Sequence, residues 1–169
     1  MQDWSKHANE GIRYYSGAAF YKKTFRFTRA GGSRLYLDLG KVGVMAEVTL
    51  NGRNLGILWN APYRVDVTDA IQLVNTLEIN IVNLWVNRMI GDEHLPDDMD
   101  RRAAPIDPPK AWPKWVQEGR SSPTGRFTFT SVRSWRKDNP LVASGLLGPV
   151  WILAVEKIGS AREFEGGAI

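Results

Sequence analysis

The chain has 169 residues, the length of one typical domain, and 43% of them are hydrophobic, 24% charged and 11% aromatic. That mixture is rich enough to bury a core and excludes a disordered or fibrous chain. Lys and Arg number 22 against 18 Asp and Glu, and the resulting +4 is scattered rather than gathered into a patch, so nucleic acid is not expected as a partner.

The absence of cysteine excludes a disulfide framework, a Cys-ligated zinc and a thiol nucleophile. Met1–Ser5 lacks a charged start followed by an apolar run, so no signal peptide is expected there. No 18-residue apolar stretch occurs, so no membrane partner is expected either.

Along the chain the dominant apolar rhythm is two, the period of half-buried strands. Tyr21, Phe25 and Phe27 alternate with Lys22, Thr24, Arg26 and Thr28. Leu35–Leu39 follows, after a break at Gly31–Gly32–Ser33, and Gly40 ends it. Val44, Ala46, Val48 and Leu50 alternate with Met45, Glu47 and Thr49. Asn51–Gly52 then predicts a tight hairpin, because a type I′ turn needs positive φ at both central residues. Tyr63–Val67 reads as another strand, and Asp69–Leu73 as one helical turn capped by Thr68 or Asp69. Leu77, Ile79 and Ile81 alternate with Glu78, Asn80 and Val82. Phe127 and Phe129 suggest a late strand, and Val150–Val155 a fully buried closing one. Seven or eight strands without helical periodicity predict an all-β, antiparallel jelly-roll sandwich. Its core is expected to hold Phe25, Phe27, Val48, Leu50, Leu77, Ile79, Ile81, Trp151 and Leu153.

Residues 84–125 break the pattern. They show no alternation and carry six of the nine prolines, with Trp85, Trp112 and Trp115 among them. A long loop rich in tryptophan is expected to be structured and functional rather than a linker.

The candidate chemistry is sparse. His7 and His94 are the only histidines, and no Gly-x-Ser-x-Gly elbow occurs, so a Ser–His–Asp triad has no support. Asp92, Glu93, Asp97, Asp98 and Asp100 crowd one loop, but a glycosidase needs two carboxyl groups held rigidly across a scissile bond. The bland reading is a salt-bridged loop with Arg101 and Arg102. The spacing does not fit an EF-hand, although a structural calcium caged by loop carbonyls and carboxylates stays open. Of the seven tryptophans, Trp151 reads as core and Trp59 as ambiguous. Trp85, Trp112, Trp115 and Trp135 fall in or near loops, where an indole face either stacks on a pyranose or pins the loop.

Several strings carry a resemblance. Gly11–Tyr21, Leu37–Val42 and Ala46–Gly56 resemble the galactose-binding-like jelly roll of glycoside hydrolases. Trp59–Thr68 with Asn75–Ile79 is similar to the family 2 sugar-binding pattern. Asn83–Glu93 and Ser144–Val150 are more specific. Together they resemble the C-terminal β-sandwich of large bacterial α-L-rhamnosidase-type glycoside hydrolases, family 106 and its relatives. The resemblance spans residues 11 to 157, leaving 1–10 as an N-terminal extension and 158–169 as a tail. It implies that the catalytic carboxylates lie in a separate barrel domain, and that this chain is an ancillary module of a periplasmic or extracellular enzyme. The implied partners are that catalytic domain and a rhamnose- or galactose-containing polysaccharide of plant or bacterial origin.

Within the special string, Arg88 is expected to pair with Asp92 or Glu93, while Asn83 and Asn87 satisfy freed backbone groups. Trp85, Asn87, Arg88, Asp92, Glu93, Trp112 and Trp115 are therefore the expected carbohydrate-binding set, with no catalytic residue. An autonomous hydrolase using the loop acids and a purely structural interdomain module remain as alternatives.

Overall fold

The computed structural model describes residues 1–29, 32–103 and 107–155. Gly31, Pro105 and the 158–169 tail lie outside the described residues. A short 3-10 turn, Trp4–Lys6, and helix α1, Glu10–Arg13, precede the first strand. Strands β1 (Ala18–Arg26), β2 (Arg34–Asp38), β3 (Lys41–Val42), β4 (Met45–Leu50), β5 (Arg53–Leu58), β6 (Arg64–Asp66) and β7 (Val74–Val82) follow in order. Helices α2 (Val86–Asp92) and α3 (Lys114–Gln117) come next, then β8 (Leu146–Gly148) and β9 (Trp151–Val155).

The strands form one sheet in the order β1-β7-β4-β5, a second in the order β6-β2-β9, and a β3-β8 ribbon, with every strand pair antiparallel. Ala46, Val48, Leu50, Leu77, Ile79 and Ile81 from the first sheet meet Leu35 and Leu37 from the second and Leu39 just beyond it, with Val42 and Leu146 closing one side. This is an all-β sandwich whose core rests on period-two alternation, as the sequence predicts.

The Asn51–Gly52 turn forms as expected, with φ of 54° and 78° at its two residues. Asn51 also uses its side chain as a bridge. Its Nδ2 donates to Ala70 O (2.8 Å) and to Asn75 Oδ1 (2.9 Å), and its Oδ1 accepts from Thr76 N (2.9 Å). Asn75 is fully buried and closes its own loop through Gln72 N and Gln72 O. The amide pair thus ties the hairpin tip to the start of β7, where an unpaired buried amide would be costly.

Five expectations change. Trp151 is 59% exposed, and Leu153 is only half-buried. The register explains this: Ile152 lies opposite inward-facing Leu37, so Trp151 and Leu153 fall out of the core alternation, and edge strand β9 leaves Trp151 at the open margin between the sheets. Phe25 and Phe27 are half-buried because β1 is an edge strand and covers them on one side only. Phe127 and Phe129 lie in no strand, and residues 68–70 form a turn rather than a helix. Residues 86–92, expected to be loop, are helical.

Arg64 donates to Asp38 Oδ2 through Nη2 (2.7 Å) and Nε (3.1 Å), clipping β6 to β2, and Gly40 N donates to Asp38 Oδ1 (2.8 Å). The Arg64 guanidinium, then the Gly40 amide, hold the Asp38 carboxyl below its ordinary range. A depressed folded pKa contributes stability above the unfolded value, about 3.9, and loses it as pH falls. Asp38→Asn should therefore lower stability at neutral pH and flatten the acid limb of the stability curve below about pH 4, as read by urea denaturation across pH.

Candidate functional site

The excursion from the sandwich begins where β7 ends and returns at β8. Two asparagines hold its neck. Asn83 Oδ1 accepts from Gly145 N at 3.2 Å. Asn87 grips Val142 twice, Nδ2 donating to its carbonyl (2.7 Å) and Oδ1 accepting from its amide (2.8 Å). Both residues are buried, in the role expected of them.

Helix α2 carries the expected ion pair. Arg88 Nε lies 3.0 Å from Asp92 Oδ1 at (i, i+4) spacing, and the Asp92 side chain is 1% exposed. The other oxygen, Asp92 Oδ2, accepts from Phe127 N (3.0 Å), Thr128 N (2.7 Å) and Thr128 Oγ1 (2.7 Å). One carboxylate therefore pins a stretch 35 residues away. The Arg88 guanidinium also rests against the rings of Tyr14 (5.8 Å) and Phe127 (5.1 Å). A Cβ at Gly91 would lie 2.6 Å from Tyr14 Cγ and from Arg88 Nη2, so only glycine lets Tyr14 pack on this helix.

Glu93 turns away from Arg88. Its Oε1 accepts from Arg126 Nη1 at 2.8 Å and its Oε2 lies 3.2 Å from Arg133 Nε. Asp97 Oδ1 completes the square, 3.0 Å from Arg126 Nη2 and in contact with Arg133. Arg126 donates further to the carbonyls of Pro96 and Leu95. Among the described residues, Arg101 donates to the carbonyls of Asp107 (2.8 Å) and Thr130 (3.1 Å), while Arg136 pairs with Asp107 at 2.7 Å. Burial, then the positive charge of Arg133, push the Arg101 guanidinium below its ordinary value. The ion-pair partners of Glu93 and Asp97 thus are Arg126 and Arg133, not Arg101 and Arg102. Nothing in local spacing signals pairings of that range.

The tryptophans divide. Trp115 packs edge-on against Phe129 (5.9 Å between centroids), and its Nε1 donates to Asp98 O at 3.1 Å. Trp112 leans on the same Phe129 (5.4 Å) yet stays 58% exposed. The two indoles line an open cleft of about 620 Å³ together with Asp98, Asp100, Lys110 and Lys114. Asp98 is held by Ser122 Oγ at 2.8 Å. Trp85, 59% exposed at the start of α2, does not line this cleft, and neither do Asn87, Arg88, Asp92 and Glu93. The expected carbohydrate-binding set is therefore split in space between a polar scaffold and an aromatic cleft. Among the described residues, no three His, Asp or Glu side chains converge to hold a metal ion.

Residues 5–109 match the family described as "Glycosyl hydrolase 2 galactose-binding domain-like". The chain belongs to this family. A protein of Formosa agariphila named "Putative beta-glucuronidase" is 46% identical over 162 residues, 93% of this chain but 14% of that protein. A rhamnosidase structure from Novosphingobium sp. PP1Y is 37% identical with a TM-score of 0.67, covering 89% of this chain and 12% of that one. The Ruminococcus gnavus β-glucuronidase structure shares the fold at 18% identity and a TM-score of 0.50, covering 91% of this chain and 22% of that one. This galactose-binding-like chain thus spans about one-seventh of the curated relative. Its family match ends at residue 109, before Trp112 and Trp115 and before strands β8 and β9.

Asp92→Ala should cost about 3–5 kcal/mol, because it strands Arg88 and three donors in a buried place. Chemical denaturation measures the loss, and hydrogen exchange should show the Phe127 and Thr128 amides losing protection first.

Proposed function

We propose that this chain is a non-catalytic module of a polysaccharide-degrading glycoside hydrolase, and that the Trp112 cleft holds glycan for the parent enzyme. The observation that carries the reading is the exposed Trp112 indole, braced from behind by Phe129 and Trp115 and flanked by charged hydrogen-bonding groups. A flat apolar face beside a few fixed polar groups is what a pyranose presents and needs in return. The family and the rhamnosidase and glucuronidase similarities supply the sugar context. Such a parent would work where its polymer is, in the periplasm or outside the cell.

In this reading the special string builds rather than binds. Asn87, Arg88, Asp92 and Glu93 spend their polar atoms inside the chain, ordering the excursion that carries Trp112 and Trp115. Support of a catalytic domain is the companion role, favoured by Trp59, Trp85, Trp151 and Phe127, all more than half exposed.

The test has two arms. Incubation with aryl rhamnosides and aryl glucuronides should give no turnover; hydrolysis that disappears in Glu93→Gln would overturn the non-catalytic assignment. Titration with rhamnose- or galactose-containing oligosaccharides should shift tryptophan fluorescence, and Trp112→Ala should weaken binding by about tenfold, or ~1.4 kcal/mol. A flat titration up to millimolar sugar would leave only the supporting role.

A further inference from the structure

Along one side, the two sheets do not close on each other among the described residues. Among the described residues, β1 pairs with β7 alone and β9 with β2 alone, so each ends its sheet. Between these two edges lies a groove of about 530 Å³, floored by Leu37, Leu77 and Ile79 and walled by Tyr21, Phe25 and Trp151. A nine-residue edge beside an apolar groove is a template for another strand, and natural sandwiches rarely leave one open.

We infer that this seam takes an extended polypeptide strand, apolar on its inward side, with a carboxylate placed to meet Lys23. The charge follows from register. Lys23 lies opposite Leu77, between Tyr21 opposite Ile79 and Phe25 opposite Asn75, so it occupies an inward position of β1 and lines the groove. Its neighbour Lys22 is held by Glu78 at 2.7 Å, whereas among the described residues Lys23 has no ion-pair partner. A lysine on the inward face of an edge rejects a second β1, because an antiparallel copy centred there would oppose lysine to lysine. It accepts a strand bearing Asp or Glu. Main-chain hydrogen bonds to β1 supply affinity, and alternate side chains entering the groove supply register. The exposed Trp151 borders the groove and reports on its occupant.

The experiment uses the chain with nine-residue peptides that alternate Val, Ile or Phe with Thr and carry one central inward Glu, and a matched set with Lys in place of Glu. The Glu peptides should protect β1 amides from hydrogen exchange and shift Trp151 fluorescence, with the shift absent in Trp151→Phe. Lys23→Glu should weaken the Glu peptides by about tenfold or more and restore binding to the Lys peptides. That charge exchange is a readout that nonspecific apolar binding would not give. Equal binding of both peptide sets, protection confined to other strands, or no protection by any peptide would overturn the inference. So would a concentration-dependent dimer in sedimentation that protects β1 in the absence of peptide, since the occupant would then be a second copy.

Discussion

The Asp92 carboxylate is buried at the end of α2 and receives Arg88 on one oxygen and three donors from Phe127 and Thr128 on the other. Taking a carboxylate out of water costs several kcal/mol unless it is compensated, and here three hydrogen bonds fill Oδ2 while the Arg88 charge faces Oδ1. The consequence runs both ways along the chain. Helix α2 has only seven residues and no side-chain cap at its start, too little to stand by itself in water. The stretch around Phe127 belongs to no sheet. Each becomes ordered because the other completes the carboxylate, and everything between them is held as a closed loop.

Inside that loop the polar square of Glu93, Asp97, Arg126 and Arg133 repeats the logic at lower burial. Two acids and two guanidiniums in one cluster neutralise one another, and Arg126 also satisfies two carbonyls. A segment with six prolines has few backbone hydrogen bonds of its own to offer. Side-chain ion pairs and side chain-to-backbone bonds take their place. The sandwich, by contrast, stands on apolar burial, with Leu39, Ala46, Val48, Val67 and Ile81 all excluded from solvent. The molecule thus has two kinds of cohesion, and the excursion depends on the more polar one.

How much of this the sequence discloses follows from the range of the interactions involved. The strands are legible because alternation is local: Val48, Leu50, Leu77, Ile79 and Ile81 are buried where the period puts them. The hairpin at Asn51–Gly52 is legible for the same reason. Strand β9 is not, because Val150–Val155 is apolar throughout and only its register against Leu37 decides which face is which. Arg88 and Asp92 can be paired from spacing alone, since they sit one helical turn apart. The partners of Glu93 and Asp97 lie some thirty residues on, 33 for Arg126 on Glu93, and no periodicity connects them. Helix α2 escapes notice because tertiary clamping, not a long amphipathic pattern, makes it form.

That division of labour bears on what the special string is for. A residue whose every polar atom is spent within the chain cannot also read a ligand without breaking what it holds. Asn87 is of this kind, and Asp92 is close to it, buried with three hydrogen bonds on one oxygen and the Arg88 charge beside the other. Trp112 is of the opposite kind. Phe129 supports it, Gln117 binds only its carbonyl, and its indole face is left to solvent. An exposed aromatic in a proline-rich segment pays the full cost of hydration unless something covers it. The scaffold that fixes its position is also what makes that exposure tolerable, because a face held still loses little further entropy when a flat partner settles on it.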